Sequence, residues 1–166
     1  MLPSHYRRCY GCGPDHGAGL RMRLTVGQQA SIHAQLEVTD DHQGAPGLAH
    51  GGLLACALDE ALGTVAWLLG TPAVTARLET EYLTPVPVGS VLHIHARCTG
   101  VTGRKISLVA EGRRNGPTGS PAVRATALFL AVDLEHFTTH GRVHDVAQAM
   151  ADPDFDTIRR AFGINP

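Results

Sequence analysis

Apolar and polar residues alternate in two runs near the start of the chain, Arg21–Val26 and Ala30–Val38, on either side of Gly27-Gln28-Gln29. Alternation at a period of two is the pattern of a half-buried strand, so the pair predicts a β-hairpin. A turn-rich stretch, Asp40 to Gly47, follows. The texture then changes: from Gly51-Gly52 to Leu69 the chain is rich in Ala and Leu on nearly every helical face. A helix apolar all round needs protein on most sides, which predicts a central buried helix. From Val74 onward strand patterns return over Val74–Leu83, Val91–Thr99, Lys105–Arg113 and Val123–Val132, joined by short Gly/Pro-rich connections that favour antiparallel neighbours.

The order of hairpin, helix and four strands predicts an α+β fold in which an antiparallel sheet of five to six strands wraps one long helix. One domain is expected over residues 1–166, with a lead-in at 1–17, a core at about 18–134 and a helical extension at 135–166. Within that extension, Asp154–Phe162 is the favoured helix.

Composition narrows the function classes. A chain of 166 residues with 43% hydrophobic content and a formal charge of -1 has the makings of one continuous core. It lacks the overall positive charge that marks a nucleic-acid or anionic-membrane partner. The polar opening Met1 to Arg8 carries no apolar run of the secretory kind, so a cytoplasmic location and reduced thiols at Cys9, Cys12, Cys56 and Cys98 are expected.

Two features stand out against the apolar helix. Asp59 and Glu60 lie near its middle, and an unpaired buried charge costs several kcal/mol unless a partner relieves it. Consecutive helical residues point about 100° apart, so the two acids face different surroundings. At the helix start, His50-Gly51-Gly52 offers uncapped backbone N–H groups at the positive end of the helix dipole, a ready place for an oxyanion. Nine residues separate His50 from Asp59, roughly 13 Å along the axis. One chain cannot easily aim both at one carbonyl, but two antiparallel copies of the helix can, which predicts a symmetric homodimer with sites at its interface.

The run Gly44-Ala-Pro-Gly-Leu-Ala-His-Gly-Gly52, the Asp59 nine residues after His50, Val74-Thr75-Ala-Arg-Leu and Tyr82-Leu-Thr-Pro85 resemble the hot-dog-fold thioesterases of the PaaI-like and THEM-type group. The likeness runs from about Cys9 to Val132. It implies a hydrolase that splits acyl-coenzyme A into free acid and coenzyme A, with no metal or other cofactor. Asp59 matches the family's catalytic carboxylate, as general base or nucleophile. The N–H of Gly52 or Gly51 matches the oxyanion donor, with His50 beside it. Thr75 matches the hydroxyl that holds the water or the carboxylate. Substrate contacts are expected from Gly47, Glu60 and Tyr82, with Glu60 the alternative base. Arg104 and Lys105 are candidates for the coenzyme phosphates, because Arg matches phosphate with a planar fork. Leu53, Leu54 and Trp67 with Tyr82 are expected to line the acyl tunnel. The family forms dimers and tetramers, a choice that stays open.

Two other readings stand beside this one. A hot-dog hydratase or dehydratase requires an acid–base pair for a C–H proton, usually with His, and no motif supplies it. A non-catalytic acyl-CoA-binding protein would keep the fold without turnover. Cys9-Tyr-Gly-Cys12 with His16 has the makings of a zinc site, but no second Cys pair follows and a packed lead-in is favoured. His136, His140 and His144 recur every four residues, yet Thr138, Thr139 and Gly141 weaken a helix there and favour a surface segment.

Overall fold

The computed structural model describes residues 1–152. Along the chain run β1 (Arg23–Val26), β2 (Ser31–Glu37), β3 (Gln43–Ala45), β4 (Leu48–Ala49), α1 (Gly51–Leu68), β5 (Ala73–Tyr82), β6 (Val91–Thr102), β7 (Lys105–Arg114), β8 (Pro121–Ala131), α2 (Leu134–His140) and α3 (Val143–Met150). Six strands form one antiparallel sheet in the order β1-β2-β6-β7-β8-β5, and β3 and β4 form a small flap just before α1.

The alternation that predicts the strands also sets the faces of this sheet. Ile32, Ala34 and Leu36 of β2 point inward and are buried, while His33, Gln35 and Glu37 point out. Leu92, Ile94 and Ala96 of β6, and Ile106, Leu108 and Ala110 of β7, continue the inner face. Against it lies α1, packed on β2, β5, β6, β7 and β8, with Leu58, Leu62 and Val65 wholly buried. Each such side chain contributes about 1.5–3 kcal/mol by leaving water. The apolar length of α1 would also suit a membrane span, but half of it is buried against the sheet.

Two expectations change. The helix is not enclosed on all sides: Gly52 is exposed and Ala55, Cys56, Asp59 and Gly63 are only partly covered. These positions fall at helical spacing, so they form one open seam, and β5 at the sheet edge runs beside it. At the far end, His136 and His140 do share a short helix, α2, because Asp133 caps it through a 3.0 Å bond from the His136 N–H. Gly141 follows that helix, and His144 falls on α3. The helix expected over Asp154–Phe162 lies outside the described residues.

Candidate functional site

Asp59 sits on the open seam of α1. Its Oδ1 accepts a 2.8 Å hydrogen bond from the Thr75 hydroxyl, while Oδ2 has no hydrogen-bond partner among the described residues. Burial pushes the Asp59 carboxyl above its usual range, opposed by the bond from Thr75. Thr75 lies near the start of β5, where the pairing with β8 slips: Thr75 faces Phe129 and Arg77 faces Leu128, leaving Ala76 as an extra residue. Such a bulge redirects the neighbouring side chains. It was not legible in the sequence.

The other end of β5 meets the start of α1, where the Tyr82 hydroxyl donates to the Gly51 carbonyl at 2.9 Å. Here the structure sharpens the expected oxyanion donor. His50 is the N-cap of α1, and its Nδ1 accepts the Gly52 N–H at 3.0 Å. The imidazole acts as Ser or Asn does at other helix starts, and it leaves Nε2 as the protonated nitrogen when neutral. Gly52 is thus engaged within its own chain. Gly51 at the first helical position has no intrahelical acceptor by construction, and among the described residues its N–H meets none elsewhere.

Other expected residues scatter. Gly47 occupies the β3–β4 turn with φ of +73°, its N–H held by Gln43 Oε1 at 2.7 Å. Arg104 and Lys105 form the β6–β7 turn. Lys105 and Val74 both pair with Leu130, so Lys105 shares the sheet end of Thr75 but lies two strands away, roughly 10 Å. Leu54 belongs to the core and not to an open channel.

Glu60 departs most from expectation. It turns away from Asp59 toward the N-terminal segment, so as an alternative base or substrate contact it is misplaced within this chain. Its Oε2 accepts from Cys9 Sγ at 3.3 Å and its Oε1 lies 3.5 Å from His5 Nδ1. His5 Nδ1 in turn lies 3.3 Å from Cys12 Sγ, and the His5 ring stacks on Trp67 at 6.1 Å. Trp67 therefore packs on the Glu60 side. His16, the expected third partner of the two cysteines, packs edge-on against Tyr10 instead. The pairing with Cys12 pulls the Cys9 thiol well below its usual range, and the same pairing pushes Cys12 up. Burial raises Glu60 to about 7. Burial pulls His5 down, but its bond with Cys9 and the charge of Glu60 outweigh this and leave it raised. Of these four side chains, His5 was the one with no signal beyond its place four residues before Cys9.

Residues 46–120 match the Thioesterase superfamily family. Among curated proteins, the chain is 36% identical over 97 residues to the acyl-coenzyme A thioesterase THEM4 of Bos taurus, covering 58% of this chain and 39% of that protein. The matched stretch thus spans about two fifths of that relative's length. A crystal structure of a thioesterase superfamily protein is 28% identical, with a TM-score of 0.70 over 78% of this chain and 69% of that one. A Streptococcus mutans protein solved with bound acetyl CoA has the same fold at 22% identity, with a TM-score of 0.63 over 67% of this chain and 88% of the other.

Proposed function

From a chain that carries the hot-dog fold of the thioesterase superfamily, we propose an acyl-coenzyme A thioesterase that acts as a homodimer. The reading is carried by one observation: Thr75 holds one oxygen of Asp59 on an open face and leaves the other for water. Asp59 Oδ2 takes a proton from that water as its oxygen attacks the thioester carbonyl carbon. The carbonyl oxygen becomes an oxyanion, the C–S bond then breaks, and the departing thiolate takes the proton from Asp59. The products are a free acid and coenzyme A. A thiolate leaves readily, so a placed base and oxyanion donors are sufficient.

The Gly51 N–H is the donor that the helix start leaves available. It lies eight residues from Asp59, about 12 Å along α1. A second copy, its α1 antiparallel along the open seam, brings its Gly51 opposite this Asp59. The partly covered seam and the edge strand β5 are the surfaces for that partner. THEM4, a relative, is an acyl-coenzyme A thioesterase by name, and acetyl CoA is bound to the S. mutans protein; both support the substrate class. Arg104 and Lys105, at the sheet end of Thr75, are proposed for the coenzyme phosphates. A cytoplasmic setting is part of the proposal and is tested by localising the tagged protein.

The test is release of free thiol from a panel of acyl-CoAs by the full chain and by Asp59→Asn. Hydrolysis by the wild type and a loss of about 10²–10⁴-fold in the variant are expected. Equal rates in the two would overturn the assignment. Subunit sharing has its own test. Asp59→Asn and Gly51→Pro, each impaired alone, should recover about one quarter of wild-type activity after equimolar subunit exchange, because half the dimers then hold one intact site. No recovery on exchange would place donor and base in one chain.

A further inference from the structure

The N-terminal loop and α1 meet at four side chains of mixed chemistry. The ligand atoms of His5, Cys9, Cys12 and Glu60 all lie within 4.8 Å of one another. We propose that they form a tetrahedral site for a zinc-class divalent ion, which pins the N-terminal segment to α1.

Geometry is the first argument. Zinc binds thiolate at about 2.3 Å and nitrogen or oxygen at about 2.0–2.2 Å, so the edges of its tetrahedron measure about 3.3–3.8 Å. Contacts of that size link the set: Cys12 Sγ lies 3.3 Å from His5 Nδ1, and Glu60 reaches Cys9 Sγ at 3.3 Å through Oε2 and His5 Nδ1 at 3.5 Å through Oε1, so either carboxylate oxygen can serve as its ligand.

Unmet polar demand is the second. The Glu60 side chain is 10% exposed, and its Oε1 is buried without a hydrogen bond. A buried carboxylate beside two thiols is costly unless a cation meets it. Two sulfurs and an imidazole favour zinc over magnesium or calcium, which prefer all-oxygen shells. Four protein ligands leave no open position, so the site is structural and not catalytic. On binding, the protons still held by Cys12 and the other ligands leave to solvent. With neutral His5 and ionised Glu60 the filled site carries a net charge of about −1.

The loop is shaped for this arrangement. The Gly11 N–H donates to Cys9 Sγ at 3.3 Å, a support of the kind that orients metal-bound sulfur. A Cβ on Gly11 would collide with the Glu60 carboxylate, so glycine at residue 11 lets the backbone lie against it without displacing that side chain. Glu60 adjoins Asp59, and an ion there holds the turn of α1 that carries the proposed base. The inference does not depend on the thioesterase reading.

The experiment uses the full chain without a histidine tag, purified reduced and without chelator, its metal measured per chain by mass spectrometry. Chelator-stripped protein is then titrated with zinc and with cobalt(II). About one zinc per chain is expected. Cobalt should give a thiolate-to-metal charge-transfer band and the intense visible bands of a tetrahedral centre. Cys9→Ser should lose about half of the charge-transfer intensity, and Glu60→Gln should bind cobalt at least tenfold more weakly. Cys9→Ser serves if Cys12→Ser does not fold, because Cys9 is the less buried thiol. Failure to hold zinc or cobalt at stoichiometric concentration would overturn the proposal. So would a cobalt spectrum without the thiolate band, which would point to the His136–His140 pair, or a Cys9–Cys12 disulfide in protein kept reduced.

Discussion

Asp59 and Glu60 are neighbours in the chain and on the helix, yet they live in opposite surroundings. Asp59 faces an open seam, held by one hydroxyl from an edge strand. Glu60 faces inward toward the N-terminal loop, with His5, Cys9 and Cys12 around it. A rotation of about 100° along α1 separates the two. Both acids are only partly relieved within the chain: Glu60 has Cys9 on one oxygen and no hydrogen bond on the other, and Asp59 has Thr75 on one oxygen alone. On the proposed mechanism Asp59 receives its substrate and its oxyanion donor from outside the chain, so the open side is proposed for catalysis and the closed side for anchoring.

The comparison breaks if disturbing one side changes the other. The largest effect expected is that of Asp59→Asn, a fall in kcat of about 10²–10⁴-fold with metal content unchanged; loss of zinc in that variant would merge the two sides. Chelation acts on the closed side. For an ion held at about a thousand times its Kd, removal costs about 4 kcal/mol and lowers Tm by on the order of 10 °C, read by calorimetry. The same drop should appear in the Asp59→Asn background if the sites are independent.

Gly51→Pro is the next in size. Proline suits the first turn of a helix and removes the N–H, while its Cβ comes to 3.3 Å from the Tyr82 ring, which can shift slightly; the fold should survive while thiol release falls about 10²–10³-fold. Thr75→Val keeps the β-branched shape and deletes the bond to Asp59; a loss of roughly tenfold in kcat is expected, from a hydrogen bond to a charged group. The smallest change is Tyr82→Phe, which removes the hydroxyl from the Gly51 carbonyl. It should cost about 1 kcal/mol, or 2–4 °C in Tm, and leave the metal titration unaltered.

Features that local pattern encodes are legible in the chain itself. Alternation marks the β1–β2 hairpin, since the pleat turns a period of two into an inner and an outer face, and strand-like runs between short Gly/Pro connections mark the other four strands. The Ala- and Leu-rich run marks α1, and the angle between adjacent helical residues separates Asp59 from Glu60. Thr75 stands out only through the resemblance to the hot-dog thioesterases, not through any local period. Other features arise from contacts between distant residues, which no local period reports. Cys9 and Glu60 are 51 residues apart and Thr75 and Asp59 are 16 apart, so only the folded chain shows which acid each partner reaches. The bulge at Ala76 depends on the register of β5 against β8, and the capture of the Gly52 N–H by His50 on one side-chain torsion. The sequence by itself determined that two acids would sit on different faces of one helix. Which face closes over His5, Cys9 and Cys12 and which stays open follows only from the folded chain, because burial is set by what packs against a face and not by the residues on it.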